Sequence, residues 1–94
     1  MPGIVRLGDM CSGHGCWPSR PNDEASTNVF VNNLGVHRLG DHWVTHTCES
    51  SHDGVASSSS LTVFCNSKGV CRIGDLVSCG STMVEGSSNT FAGD

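Results

Sequence analysis

The chain is organised around one segment, Gly35-Val36-His37-Arg38-Leu39-Gly40-Asp41-His42-Trp43-Val44-Thr45-His46-Thr47-Cys48. In it a β-type stretch ends in Arg-Leu-Gly-Asp, and residues that can bind a metal follow directly. A related phrase at Arg6–Asp9 precedes His14 and Cys16, and another at Arg72–Asp75 precedes Cys79. These copies predict three similar units that bring their metal-binding residues to one place.

The composition limits what such units can form. The chain has 94 residues, with six Cys and five His but only three Phe, two Trp and no Tyr. One domain of this length, residues 1–94, buries little apolar surface. Small domains usually depend on disulfides, a metal or a partner for stability. The Cys and His residues are the obvious candidates for such a staple.

Charge and hydropathy exclude several kinds of protein. The formal charge is −4 and the five Lys and Arg are scattered singly, which argues against binding to nucleic acid. No apolar run approaches the roughly 20 residues that cross a membrane. Met1-Pro2-Gly3 does not begin a signal peptide, so we expect synthesis in the cytoplasm. Reduced thiols there favour a metal over a disulfide framework.

Two β-hairpins are predicted, because Val29-Phe30 recurs 34 residues later as Val63-Phe64. In both, strands rich in β-branched and aromatic residues flank a turn whose residues tolerate positive φ. The first has strands Asn28–Asn32 and Val36–Leu39 around the turn Asn33–Gly35, and the second has Leu61–Asn66 and Val70–Ile73 around Ser67–Gly69.

The two ends of the chain supply half units. Ile4–Leu7 is a predicted strand without an outgoing partner, and Ser87–Phe91 echoes Ser26–Phe30 without a return strand. If these halves pair, the repeat closes into three pseudo-equivalent units. We therefore predict an all-β fold with no significant helix. Irregular segments are expected at Trp17–Glu24 (a surface loop), His42–Cys48 (a ligand-bearing loop) and Glu49–Gly54.

Equivalent loops carry the candidate metal ligands. His14 and His46 each lie five residues after the Asp of their phrase, and Cys79 lies four residues after its Asp. His52, just after the second loop, is the candidate for the fourth ligand. Three His and one Cys suit tetrahedral Zn²⁺, and four protein ligands make a closed, structural site. The remaining histidines are expected to be solvated side chains: His37 and His42.

The other cysteines are assigned simpler roles. Cys11 is expected to be a buried thiol. Cys65 and Cys71 are predicted to face one another across the second hairpin, either as packed thiols or as a disulfide. Two interpretations stay open for Cys16 and Cys48, which either bond to each other or supply one of the metal ligands.

The hairpin segments carry a family resemblance. Val29–Asp41 and its second copy, Val63–Asp75, resemble the strand–turn–strand of the PAAR-repeat proteins. Gly35-Val36-His37-Arg38 and Gly69-Val70-Cys71-Arg72 stand where the name-giving Pro-Ala-Ala-Arg would lie, so the Arg, the Gly-Asp and the flanking strand remain. The chain is thus similar to a divergent, PAAR-like member over nearly its whole length.

The resemblance implies a specific architecture. PAAR-repeat proteins form a small cone of short β-hairpins with pseudo-threefold symmetry, and a zinc ion held by three His and one Cys staples the apex. By position these ligands fall on His14, His46, His52 and Cys79. The base of the cone sits on a trimeric β-helical spike, one monomer per trimer, in a contractile phage tail or a type VI secretion system.

The same resemblance implies a structural protein and not an enzyme. Such a tip sharpens the spike for piercing a cell envelope and touches the target membrane only transiently. It is made in the bacterial cytoplasm and located at the tail tip of the virion or at the tip of the secretion apparatus. No toxin extension follows Asp94, so a bare tip is expected.

Two alternatives belong to other classes. A small zinc hydrolase would use His14, His46 and His52 with an open fourth position for water, and Asp53 or Glu49 as general base. A pocket is hard to build from so few large apolar residues, which counts against it. A disulfide-rich binding module would join the six Cys in three bridges. The missing signal peptide counts against that module.

Overall fold

The computed structural model describes all of residues 1–94 and contains strands, bridges and turns but no helix. The molecule is elongated, with extents of 36 × 24 × 20 Å. Its strands form three separate two-stranded antiparallel sheets. They are β1 (Phe30–Val31), β2 (Leu34–Gly35), β3 (His42–Thr47), β4 (Ser51–Val55), β5 (Phe64–Cys65) and β6 (Lys68–Gly69). The expected all-β fold of short hairpins is confirmed. Since the chain forms no helix, it has no helix that could span a membrane.

Both predicted hairpins are present, but their turns lie earlier than the sequence suggested. In the first, Asn32 and Asn33 form the turn, with φ values of 54° and 66°. A two-residue turn that keeps the twist of its strands needs positive φ at both positions, which Asn tolerates. The expected turn Asn33–Gly35 is therefore wrong, because β2 has already begun. The second hairpin turns in the same way at Asn66–Ser67, and not at Ser67–Gly69.

Three residues, one from each unit, form a triangle on the pseudo-threefold axis. The N–H of Val5 donates to the carbonyl of Cys71 (2.9 Å), that of Cys71 to His37 (3.0 Å) and that of His37 to Val5 (3.0 Å). All three side chains are fully buried. The expectation that His37 is solvated is wrong, because the repeat places it on the axis. Cys71 does not face Cys65, since Cys65 pairs with Lys68 in the β5–β6 hairpin.

The two ends of the chain close the ring of units. The N–H of Ile4 donates to the carbonyl of Thr90 (3.0 Å), and the N–H of Ser87 donates to the carbonyl of Ile4 (2.8 Å). The half units therefore pair as predicted. The segment Ile4–Leu7 is not a strand of one sheet, however, because it forms only isolated bridges and successive bridges go to different units.

Each Arg-to-Asp phrase builds a closed corner. At the central corner the Asp41 carboxylate accepts hydrogen bonds from the backbone N–H (2.9 Å), Nε (2.8 Å) and Nη2 (3.0 Å) of Arg38. Gly40 has a φ of 87°, a conformation that glycine adopts without steric cost. The same three bonds recur at Arg6–Asp9 and Arg72–Asp75. The phrase is thus a repeated turn that ends each β-segment and directs the chain toward the candidate ligands.

The apolar core divides into two clusters. One combines Val5 and Cys71 of the axis triangle with Trp43, and Cys79 packs against it. The other lies among the short hairpins and consists of Ile4, Val36, Cys65, Val70 and Ala92. We name these two regions the ligand end and the hairpin end.

Candidate metal centre

A hairpin that the sequence did not indicate carries two of the candidate ligands. Strands β3 and β4 pair antiparallel and place His46 directly opposite His52. The expected loop His42–Cys48 and irregular segment Glu49–Gly54 are therefore wrong. Trp43 is fully buried and anchors β3 in the core. The residues of β4 are almost all polar or small, so the apolar alternation that identifies a strand is missing from the sequence.

Tight turns present the other two candidates. His14 exchanges two backbone hydrogen bonds with Trp17, at 3.0 and 2.9 Å, and the two rings stack with centroids 5.2 Å apart. Gly13 has a φ of 72°, and a Cβ atom added there would lie 2.5 Å from the Trp17 carbonyl oxygen, so only glycine fits. Cys79 lies in the turn beyond the third corner, next to Gly80 with a φ of 105°.

All four predicted ligands come together at the ligand end. His14, His46, His52 and Cys79 each contribute one ligand atom to a group whose members lie within 4.8 Å of one another. The Nε2 atom of His52 is 2.9 Å from that of His14 and 2.5 Å from that of His46. The Sγ atom of Cys79 is 4.0 Å from Nε2 of His46. The group draws on all three units of the repeat.

The donor set fits a metal ion such as zinc. Nδ1 of His46 lies 2.8 Å from the carbonyl oxygen of Pro18, so this nitrogen carries the proton and donates it. In the neutral imidazole its Nε2 atom is then a lone pair, and it faces Nε2 of His52. Nε2 of His52 lies within hydrogen-bond distance of Nε2 of both His14 and His46, and a single ring N–H satisfies only one of these contacts, whereas a cation between the three nitrogens satisfies all of them. Three imidazole nitrogens and one sulfur are ligands typical of tetrahedral zinc.

The electrostatics favour the protonation states that bind metal. Burial alone would raise the pKa of the Cys79 thiol, but hydrogen bonds from the Ser81 backbone and the Arg20 guanidinium outweigh it and lower that pKa. Burial, followed by repulsion from the other two ligand imidazoles, lowers the pKa of His52. A metal coordinates the neutral imidazole and the deprotonated thiolate, so both pKa shifts favour the forms that bind it.

A disulfide lies beside the ligand group. Cys16 and Cys48 are bonded, with their Cα atoms 5.8 Å apart, and neither belongs to the ligand group. The preference for reduced thiols is therefore wrong for this pair. Each Cys lies two residues after a ligand histidine, and because the two histidines meet in the ligand group, the two sulfur atoms are brought together as well. Cys11 is buried, as predicted. Four cysteines are free, which excludes the module with three bridges: Cys11, Cys65, Cys71 and Cys79.

One residue near the ligands was not singled out by the sequence. Arg20 belongs to the expected surface loop Trp17–Glu24, yet it is only 4% exposed. Its guanidinium donates to Sγ of Cys79 (3.2 Å) and Sγ of Cys11 (3.0 Å), and it lies over the ring of Trp43. The surface-loop prediction is wrong here, because prolines and charges indicate irregular backbone but do not show which side chain turns inward.

His42 lies outside the ligand group and is half-buried. Its Nδ1 is 2.6 Å from a carboxylate oxygen of Asp23, and its Nε2 is 2.8 Å from one of Asp53. Hydrogen bonds with Asp53 and Asp23 raise the pKa of His42. Its side chain is therefore held between two carboxylates and forms an ion pair with them when it is protonated, where the sequence predicted only a solvated residue. Asp53, a general base in the hydrolase alternative, is occupied by this contact.

A single open groove of about 590 Å³ is present, and it lies at the hairpin end. Its apolar lining comes mainly from Leu7, Phe30 and Leu34. None of the four candidate ligands lines it. A substrate pocket beside the ligand group, which the hydrolase alternative requires, is not formed.

Comparison with known protein families gives one match. The PAAR motif family matches residues 13–85, a range that contains both short hairpins and all four candidate ligands. No curated protein is significantly similar to the chain.

Proposed function

The chain belongs to the PAAR motif family, and on that premise we propose that it is the structural tip of a trimeric β-helical spike. The spike is that of a contractile phage tail or of a type VI secretion system. One monomer caps three identical chains and sharpens their blunt end for piercing a cell envelope. The protein is then located at the tail tip of the virion or at the tip of the secretion apparatus.

One observation carries this proposal: the hairpin end repeats an exposed aromatic side chain in every unit. Phe30 is 58% exposed, Phe64 is 62% exposed and Phe91 is 48% exposed, although each lies next to a buried or half-buried apolar residue. Large apolar side chains that recur at the same exposed position in every unit are the residues that a matching partner would cover. A symmetric trimer presents three identical patches, and three equivalent Phe residues on one monomer match that arrangement.

A second exposed set strengthens the match with a trimeric partner. Leu7, Leu39 and Ile73 occupy the equivalent position in the three corners and are 41%, 41% and 38% exposed. Each N–H donates to a carbonyl of the neighbouring unit, so the side chains are held where units meet. Covering these residues and the short strand edges would supply stability that the small core lacks.

We propose that the ligand group binds one structural Zn²⁺ ion through His14, His46, His52 and Cys79. When bound, the ion supplies rigidity, because it cross-links loops that have few large apolar side chains of their own. The four protein ligands leave no position for a catalytic water. The chain's own residues then act mechanically: the three corners hold the loops in place, and the closed ligand end points toward the target envelope.

The test is to mix the purified protein with the C-terminal β-helix of the spike protein encoded beside it and to determine the mass of the complex. A complex of one chain with three spike chains is expected. The triple variant Phe30→Ser, Phe64→Ser, Phe91→Ser should lose binding. The matched control Leu76→Ser, Val84→Ser changes two residues that are each 50% exposed outside these recurring positions, and it should bind normally. A three-to-three complex, or binding that survives loss of all three Phe residues, would contradict the proposal.

A further inference from the structure

Arg20 is a buried cation without a carboxylate partner. Its guanidinium belongs to none of the ion pairs of the chain, although the side chain is almost fully enclosed. Nε donates to the carbonyl oxygen of Val44 at 2.7 Å, and the guanidinium carbon lies 5.5 Å from the centroid of the Trp43 ring. The remaining arms point at two sulfur atoms, Sγ of Cys11 (3.0 Å) and Sγ of Cys79 (3.2 Å).

This arrangement needs a negative charge close to Arg20. An arginine side chain stays protonated in proteins, and a buried cation without a compensating anion is strongly destabilising. No carboxylate is within ion-pair distance, and the two sulfur atoms are the remaining partners. Of the two cysteines only Cys79 belongs to the ligand group, and a metal ion binds its sulfur as the thiolate, which places a negative charge beside Arg20. The planar fork of the guanidinium suits two acceptors at once, which a lysine cannot match.

The fold keeps the guanidinium in this place. Gly54 of β4 leaves the necessary room, since a Cβ atom there would lie 3.3 Å from Nη2 of Arg20 and 2.9 Å from a methyl group of Val77. The backbone N–H of Cys11 also donates to the carbonyl of Arg20 at 3.0 Å, which ties both ends of the residue to one neighbour. The guanidinium is therefore locked by packing and hydrogen bonds before any metal enters.

We propose that Arg20 is a positioning residue of the metal centre: it holds the Cys79 sulfur at the ligand position and draws electron density away from the metal–sulfur bond. This inference rests on the proposed function, because it requires a metal bound by Cys79. A hydrogen bond donated to a coordinated sulfur makes that sulfur harder to oxidise and fixes its orientation. Loss of a residue that hydrogen-bonds to a metal ligand typically lowers metal affinity about 10- to 100-fold.

Cobalt-loaded full-length protein provides the test, because the sulfur-to-cobalt charge-transfer band reports directly on the metal–sulfur bond. In Arg20→Met this band should move to longer wavelength, because the sulfur regains electron density. Metal affinity measured by chelator competition should nevertheless fall about 10- to 100-fold, because the thiolate loses its cationic partner and its fixed position. Arg20→Lys should lie between wild type and Arg20→Met. The control Lys68→Met removes a half-exposed cation of β6 at the hairpin end, which contacts no ligand, so both readouts should stay unchanged.

A second measurement uses the unmodified protein and does not depend on whether the variants fold. With cadmium-113 bound, scalar coupling between the metal and a guanidinium proton of Arg20 should be visible through the hydrogen bond to Cys79. Resolved guanidinium protons without this coupling would overturn the inference, as would an Arg20→Met spectrum and affinity identical to wild type. If wild-type protein shows no sulfur-to-cobalt band at all, the proposed metal centre itself is wrong and this inference fails with it.

Discussion

Opening the Cys16–Cys48 disulfide is expected to lower the free energy of unfolding by about 3.7 kcal/mol. The bond spans a sequence separation of 32 residues. When unfolded-chain entropy is the main effect, releasing a loop of this length returns about 12 cal/mol/K to the unfolded chain, which gives that value at 25 °C. A domain of this size is stable by roughly 5–15 kcal/mol, so the loss is a large part of the total.

The same loss is expected with and without metal. The disulfide joins the same two segments that a metal bound to His14 and His46 would join. On that ground alone, a bound metal would make the disulfide redundant. The ligands are assembled from three units, however, and even with the disulfide intact only His14 and His46 stay near one another in the unfolded chain, so the complete site forms only on folding. Metal then stabilises only the folded state, while the disulfide acts on the unfolded state, so the two contributions add.

Urea unfolding followed by tryptophan fluorescence measures this loss. The variant Cys16→Ser, Cys48→Ser and wild-type protein reduced with a phosphine should give the same value by two routes. The double-Ser variant treated with the phosphine serves as the control and should not change further. A loss below about 1 kcal/mol would refute the entropic reasoning. A loss confined to the metal-free protein would show that the bond orders the folded ligand group instead.

Three further predictions concern the corners, the axis and the hairpin turns. Asp41→Asn should cost about 3 kcal/mol in urea unfolding, because it leaves the Arg38 guanidinium without its buried anionic partner; a loss under about 1 kcal/mol would contradict the role given to the corner. Burial lowers the pKa of His37, so the unfolded chain binds the extra proton first and stability should fall as pH drops below about 6.5. His37→Val, which copies Val5 of the first unit, should flatten this pH dependence between pH 7 and pH 5, and an unchanged slope would show that another group is responsible. Ser67→Gly should raise the melting temperature by several degrees, since Ser67 has a φ of 65° and a glycine there relieves about 0.5–1 kcal/mol of backbone strain. A lower melting temperature would mean that the larger entropy which glycine loses on folding outweighs this relief.

The closed, three-unit fold was predictable because the repeated residues are those that determine the backbone conformation. The Arg-to-Asp corners form the same hydrogen bonds in each unit, so a residue at a similar distance beyond each corner reaches a similar level. This is why counting from the Asp residues located His14, His46 and Cys79, which the structure brings together. The hairpin turns lie earlier than predicted because Asn adopts the positive φ of a two-residue turn, so the turn does not need to include glycine.

Other features depend on tertiary contacts that the sequence pattern does not display. The β3–β4 hairpin places His52, but its strands have too few apolar residues to alternate. His37 was assigned to solvent by its polarity, whereas its position in the repeat puts it on the axis with Val5. Arg20 gives no local signal, since its partners Cys11 and Cys79 are 9 and 59 residues away.

X-ray absorption at the zinc edge of the purified protein tests the central claim most directly. A closed structural site predicts one zinc per chain with three nitrogen neighbours at about 2.0–2.1 Å and one sulfur neighbour at about 2.3 Å. His52→Ala should replace one nitrogen by a water oxygen and leave the sulfur in place. A zinc shell without sulfur, with two or more sulfurs, or no zinc in the folded wild-type protein would contradict the account.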